Sequence, residues 1–510
     1  MITVAAALVL AALVLTAAAR LRGAEYDEQY TLFLTGGAAR PAWPATAFDA
    51  ATIPAIQAGH ASLSEIATDL RRTDVHPPLY FLAVSEWRAT IGAGLFRTRL
   101  FSVLCGLISL ATVGAIARRC AIAVAPAMLL TLGSYAFAYT NVIARGFAPA
   151  LTLTLGGVLL LCGRQTPRAL LVAGALFGAA SACNYLAVFV AIAVGVLAGG
   201  WLLLPTALPF LALDAWFFAA QHGTRTGQFP PFSLLSALPR LAGFQVASLF
   251  GGLPLYAEGI ARIAIGACIA ALALVAFAAV LAARPCRADP RIRLLAAAAI
   301  APPLGLLCLG VVFNNTPIEL RYLCFSVPFV ALLIAWACGR GRGWARALPI
   351  FIGIMQCIGI VTLAIGPATM QPSQAAARAA ARGAGDATAR GADDAAAHVA
   401  GDAAARAANS AASDVPSDTV ALVPFGNDGV GIVGAFGNEA PASLALLIVR
   451  ATDAAATLAD RVAGYRRVIL VLLSQDRDSA ATLPIMREAF TRPGWRRSTA
   501  GSNIEVYERE

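Results

Sequence analysis

The sequence predicts an α-helical polytopic membrane protein that carries a small α/β domain at its C-terminal end, and three observations predict it. Of 510 residues, 59% are hydrophobic and 13% charged, with mean hydropathy +0.73; soluble globular chains do not have that balance. Apolar runs near the roughly 20 residues that a bilayer requires recur through the first two thirds of the chain. After Pro416 the pattern changes to short strand-like runs followed by helical ones.

Spans are expected at about 2–19, 98–117, 121–140, 147–162, 169–184, 186–204, 205–220, 260–282, 294–313, 322–338 and 347–366, about 11 in all. The first lacks the basic stretch of a secretory signal. Ala17-Ala18-Ala19 resembles a cleavage site, but cutting there would remove the anchor of the acids that follow, so the run reads as an uncleaved span. Lysine is absent, and the net charge of +10 rests on arginine. Arg118-Arg119, Arg164 with Arg168, the Arg284/Arg287/Arg291/Arg293 group and Arg340/Arg342/Arg346 all fall on one side, which places the N-terminus in the cytoplasm. Arg20 and Arg22 oppose this, but they precede a long loop, where the rule weakens. The loop 20–97, residues 221–259 and everything after Gly366 then face outward.

In the first loop, Tyr26, Tyr30 and Phe33 stand at i, i+4 and i+7, a helical face suited to lying on a membrane. Pro77-Pro78 opens a second helix that runs to Trp87. Residues 370–415 repeat AAR and GAD-like units; alanine favours helix, yet the glycines and the lack of an apolar face suggest a semi-helical linker. Residues 419–425, 467–473 and 503–507 read as strands. The domains are therefore a transmembrane module over 1–369, a linker over 370–415 and an extracytoplasmic α/β domain over 416–510. That domain shows no Gly-rich phosphate loop, so a structural or acceptor-guiding role is expected of it.

All 10 cysteines lie within or beside apolar segments, with no spacing that suggests disulfides or zinc. Basicity of this kind suits membrane orientation and anionic headgroups, and no nucleic-acid partner is expected. No cofactor is evident, and a divalent metal has no support, because nothing resembles a carboxylate cage.

Asp27 and Glu28 follow the first span directly. Carboxylates are costly at membrane depth, so a pair held at the boundary is a candidate general base; the plain alternative is a helix-start charge. Asp74 and His76 precede Pro77, where either caps the helix or His76 binds or protonates a phosphate. Of four histidines (His60, His76, His222, His398), His76 has the richest setting. Arg145 and Arg321, the latter beside Tyr322, sit at span ends on the side that the arginine bias disfavours. They either snorkel to headgroups or clamp a lipid-linked phosphate.

Read in order, these residues bring out a resemblance. Asp27-Glu28 follows span one, His76-Pro77-Pro78-Leu79-Tyr80-Phe81 opens a surface helix, and Arg99-Leu100-Phe101-Ser102 begins a span that Arg118-Arg119 ends. Ala144, Arg145, Phe147 and Ala148 form a further element, and Arg321-Tyr322 opens a late span. Over about residues 1–340 this order resembles the GT-C-type glycosyltransferases that depend on polyprenyl-phosphate sugars, the group of protein O-mannosyltransferases and lipid A aminoarabinose transferases, closest to bacterial family 39-like members. The aminoarabinose transferases carry Lys before the prolines and an acid near position 145, where this chain has His76 and Arg145. Asn184-Tyr185 stands where relatives often show His-Tyr.

The resemblance implies transfer of a sugar from a polyprenyl-phosphate donor to a lipid, glycan or protein acceptor, at the outer face of a bacterial inner membrane. In the roles it implies, Asp27, with Glu28 beside it, takes the acceptor proton, and His76, Arg145 and Arg321 hold the donor phosphate. Asp74, Tyr80, Tyr185 and Tyr322 line the substrate. Membrane lipids are the other expected partners. A lipid or glycan transporter or flippase is the main alternative, but it should show intramembrane charges or matching broken repeats, whereas the charges here read as span-end residues. A membrane-anchored assembly protein is the third reading.

Overall fold

The computed structural model describes residues 2–221, 230–316, 318–341, 343–366, 371–384, 418–491, 493–500 and 503–510. His222, His398 and residues 385–415 of the expected linker lie outside them. The chain forms two compact units. One comprises Met1–Arg20, Ile66–Trp87 and Phe96–Ala364, the other Leu21–Glu65, Arg88–Leu95 and Ile365–Glu510.

The first unit is helical. Val4–Leu21, Leu95–Arg119, Trp201–Gln221, Gly259–Ala282, Pro290–Phe313 and Leu348–Ile365 are long and apolar enough to cross a membrane. Phe147–Leu161, Pro167–Cys183, Ala187–Leu197, Leu234–Leu249 and Val327–Arg340 are shorter apolar helices. The chain is a polytopic membrane protein.

The span expected at 121–140 is broken into Val124–Leu132 and Tyr135–Thr140. Gln356 inserts at the break, its Nε2 donating to the carbonyls of Leu130 (2.9 Å) and Leu249 (2.7 Å). A side-chain amide thus serves carbonyls that apolar surroundings would leave unpaired. Gly133 makes room for it, since a Cβ there would lie 2.5 Å from Gln356 Oε1. Residues 221–259, expected as an outward loop, contain the helix Leu234–Leu249, whose Ala237 and Leu241 pack with Leu306, Ile318 and Leu323. Arg321 and Tyr322 lie in a 3-10 turn, Leu320–Phe325, ahead of Val327–Arg340.

The second unit is built on a six-stranded sheet: β1 (Phe48–Asp49), β2 (Thr419–Pro424), β3 (Ala445–Val449), β4 (Arg467–Val471), β5 (Trp495–Ala500) and β6 (Ile504–Arg509), in the order β1-β3-β2-β4-β6-β5. β2 runs parallel to β3 and β4, with Val420 opposite Ala445 and Val468; the remaining pairings are antiparallel. Val420 and Leu422 face one core, Ala421 and Val423 the other. Burial on both faces explains why β2 reads as an unbroken apolar run. The strands expected at 419–425, 467–473 and 503–507 are β2, β4 and β6.

Three features of this unit depart from the sequence reading. Phe48 and Asp49, placed in the transmembrane module, pair with Leu446 and Ala445. The start of the expected linker is a helix, Pro372–Ala384, with Ala376, Ala377 and Ala380 fully buried in the sheet's core. Alanine is itself the packing face there, because a lone methyl lets a helix approach closely. The Tyr26, Tyr30 and Phe33 face, expected to lie on a membrane, packs into the same core.

Candidate active site

The polar cluster of the first unit starts from the Asp74–His76 turn. Pro77 and Pro78 end the preceding helix Leu63–Thr73 and lead into Leu79–Ile91. In the turn, Asp74 Oδ1 accepts from the Val75 N–H and lies 2.7 Å from His76 Nδ1. A buried carboxylate at that distance orients the imidazole and fixes which nitrogen faces it.

Arg145 completes the group. Its Nη2 is 3.2 Å from His76 Nδ1 and 3.0 Å from Nε2. An in-plane bond to one ring nitrogen would leave the other far away, so the near-equal distances set the guanidinium over the ring face. The Phe81 ring is also near, 6.0 Å from the guanidinium carbon and 6.3 Å from the His76 ring. Arg145 is 3% exposed, and its Nη1 has no hydrogen-bond partner among the described residues. A buried guanidinium donor without an acceptor is costly unless a ligand supplies one. The turn needs Gly146, since a Cβ there would stand 2.4 Å from the Cys183 carbonyl and 3.2 Å from Tyr80.

Gln221 was not expected from sequence. Its Nε2 donates to the carbonyls of Leu70 (3.0 Å) and His76 (2.9 Å), and its Oε1 accepts from Tyr185 OH (3.0 Å). It thereby joins the His76 turn to the break between Pro167–Cys183 and Ala187–Leu197. One Gln at the end of an apolar helix carries no sequence signal. Tyr322 reaches the group through Phe147, with ring centroids 6.1 Å apart. Arg321 pairs with Glu319 and lies over the Tyr322 ring, so its charge is already partnered. The structure thus brings together Asp74, His76, Tyr80, Arg145, Tyr185 and Tyr322, with Arg321 ion-paired at the edge.

Asp27 and Glu28 belong to the second unit, on the helix Tyr26–Thr35. Glu28 is buried; its Oε2 accepts from the Glu25 N–H (3.1 Å), closing a capping box. For Glu28 the helix-start reading holds. Every residue of this helix except Tyr26 and Asp27 is buried. Tyr26 is engaged with Tyr30 (3.1 Å) and Asp476 (3.3 Å), and burial raises its phenol above the ordinary value, which keeps it a donor. Asp27 is half-buried and is the accessible acid of the helix.

Two further features of the first unit adjoin the polar cluster, and one of them, Asp214, is near enough to Tyr185 to act on it electrostatically. Asp214, inside the helix Leu204–Gln221, is 8% exposed, and its Oδ1 has no partner among the described residues. Ionisable groups therefore do not sit only at span ends, and Ser181 hydrogen-bonds this one. A cavity of about 430 Å³ is lined by Phe177, Val188, Val196, Trp201 and Leu204. Its walls are mainly apolar, with Ser181 among them.

No family model matches the sequence, and no curated protein matches it. Solved structures do. ArnT from Cupriavidus metallidurans, in a crystal structure bound to undecaprenyl phosphate, superposes with a TM-score of 0.51 at 13% identity, covering 99% of this chain and 97% of that one. Apo ArnT from the same organism gives 0.52 at 12% identity, over 98% and 96%. The arabinofuranosyltransferase AftD from Mycobacteria is a looser likeness, with a TM-score of 0.38 at 14% identity over 99% of this chain and 41% of that one. At these identities the likeness to ArnT establishes the fold, and it is the GT-C fold expected from the motif order.

Proposed function

We propose that this chain is a membrane glycosyltransferase that moves one sugar from a polyprenyl-phosphate donor to a hydroxyl or amine of a lipid, glycan or protein acceptor, at the outer face of the bacterial cytoplasmic membrane. One observation carries the reading: in a chain with the ArnT fold, a buried arginine at a helix start keeps a donor unpaired among the described residues. Such a group calls for an anion, and a lipid-linked phosphate is the anion that a membrane offers at that depth. Undecaprenyl phosphate bound to the neighbouring ArnT supports the same donor class.

In this reading Arg145, steadied by His76 and Asp74, holds the donor phosphate as negative charge grows on it when the glycosidic bond breaks. Asp27 takes the acceptor proton, a contribution of about 10²–10⁴ in rate. The acceptor oxygen or nitrogen attacks in line with the departing phosphate, so the anomeric centre inverts. Arg321 contributes less, since Glu319 already pairs with it. Tyr80, Tyr185 and Tyr322 supply the walls.

Mass spectrometry of envelope lipids and glycans from cells with and without the gene tests this. One species should lose the mass of a single sugar; unchanged profiles in all envelope fractions would sink the reading. The reading also has the N-terminus in the cytoplasm and the C-terminal domain outside. Reporter fusions at Gly341 and Ser410 should then report opposite compartments, and a shared compartment would overturn that topology.

A further inference from the structure

We propose that the C-terminal α/β layer is a positioning platform for the helix that carries Asp27, with Asn438 as its positioning residue. This rests on reading Asp27 as the base.

The helix Tyr26–Thr35 has 10 residues, shorter than the roughly 12–15 that hold helical structure alone in water. Its support comes from the second unit, and first from the helix Gly431–Gly437 that follows β2. Gly431, Gly434 and Gly437 fall at i, i+3 and i+6, on one face. A Cβ at Gly431 would stand 2.3 Å from the Tyr26 ring; at Gly434 it would stand 2.7 Å from Gln29 Oε1 and 2.8 Å from the Phe33 ring. At Gly437 it would meet Ile53 at 2.1 Å. The bare face fixes the register of the two helices turn by turn, because no other residue leaves room for that approach.

Second, a network of neutral amides sets the rotation of the helix about its own axis. Asn438 Nδ2 lies 2.9 Å from both Gln29 Oε1 and Gln57 Oε1. Gln57 Nε2 donates to Gln29 Oε1 (2.9 Å), and Gln29 Nε2 donates to the Glu25 carbonyl (2.9 Å). Gln29 and Gln57 are buried. Apolar side chains would fill this space with less desolvation cost. Buried amides instead admit one arrangement, the one that satisfies them all. Gln29 is two residues from Asp27, so the network that fixes Gln29 also fixes the direction in which Asp27 leaves the helix. Proton abstraction is sensitive to displacements near 1 Å, which is what such a support controls.

The test uses the full-length protein and three variants: Asn438→Leu, which keeps the branching at Cγ but cannot donate, Gly434→Ala, which drives a methyl against Gln29 and Phe33 at the same contact, and Asp27→Asn. Two quantities are read, hydrogen exchange of the amides at 29–35 against those of β2 and β4, and the sugar increment on the envelope product. Asn438→Leu should speed exchange at 29–35 by about tenfold or more while β2 and β4 stay protected, and the product should fall by about tenfold or more. Gly434→Ala should move both readouts in the same direction, and it decides the matter where Asn438→Leu loses protection in the sheet itself. Faster exchange with parental product, or lost product with parental exchange, overturns the platform. Asp27→Asn keeps the exchange pattern of the parent. Parental product from that variant removes the base reading alone, and is told apart from failure of the platform by the Asn438→Leu result.

Discussion

The two candidate groups are held by opposite means. Around Arg145 the fold gathers charge at chain breaks. A carboxylate orients a histidine, the histidine faces a guanidinium, and one guanidinium nitrogen is left without an acceptor among the described residues. Around Asp27 the fold uses uncharged contact: bare glycines, three interlocked amides and a capping box. In the proposed reading the first arrangement is completed by an anion. The second is filled by its protein partners. If the two groups act as proposed, binding chemistry is stored as unmet electrostatic demand and proton-transfer chemistry as geometry, so substitutions in the two regions should fail in different ways.

The largest difference should appear between the neighbours Asp27 and Glu28. Asp27→Asn keeps shape but cannot accept a proton at neutral pH, and transfer should fall by about 10² or more. The detergent-extracted protein should stay folded and still bind donor. Glu28→Gln keeps a capping side chain, since glutamine closes the same box, and should leave transfer near the parental rate. Equal losses from both would mean that the pair acts as one structural unit, and near-parental turnover of Asp27→Asn would remove it from the chemistry.

The two arginines give the next contrast. Arg145→Ala removes the open donor and should weaken binding of a polyprenyl-phosphate sugar by about 1.5–3 kcal/mol, the worth of a charged hydrogen bond. Arg321→Ala breaks a half-exposed ion pair with Glu319, a kind of contact worth about 0–1 kcal/mol. Donor affinity measured on both variants in one detergent system separates them. If Arg321→Ala costs as much as Arg145→Ala, Glu319 does not hold that charge when donor is bound. If neither matters, both arginines are snorkelling residues.

Much of this contrast was legible in the sequence, though unevenly. His76-Pro77-Pro78 and Arg145-Gly146 announce themselves because a proline pair and a glycine punctuate apolar runs at the places where a chain must turn. The same rule does not reach Gln221 or Gln356, whose importance lies in carbonyls they meet far along the chain. The aromatic periodicity of Tyr26, Tyr30 and Phe33 was read correctly as one face, but its partner was misjudged. A glycine stripe some 400 residues away makes a protein surface as apolar as a lipid one. The alanine helix Pro372–Ala384 was underestimated for a related reason: hydrophobic patterns weigh large side chains, while close helix packing selects small ones. β1 is two residues long and is defined by pairing alone.

The smallest effect is expected at Asp214, which reaches the Arg145 group only through its electrostatic influence on Tyr185 and sharpens the choice between an enzyme and a transporter. It is an acid inside an apolar helix, with one oxygen near Ser181 and the other without a partner among the described residues. Intramembrane acids of this kind mark ion or proton pathways when they act. In a transporter Asp214→Asn should abolish coupling. In a glycosyltransferase that works from Arg145 and Asp27 the carboxylate takes no part, and its replacement removes a charge that is costly to bury. Asp214→Asn should therefore leave the envelope sugar increment within about twofold of the parent and hold or slightly raise thermal stability in detergent, a change of about 0–1 kcal/mol. A complete loss of product from a folded, monodisperse Asp214→Asn protein would move the chemistry into the membrane interior and revive the transport reading. Parental product would leave Asp214 as a buried acid that the fold tolerates.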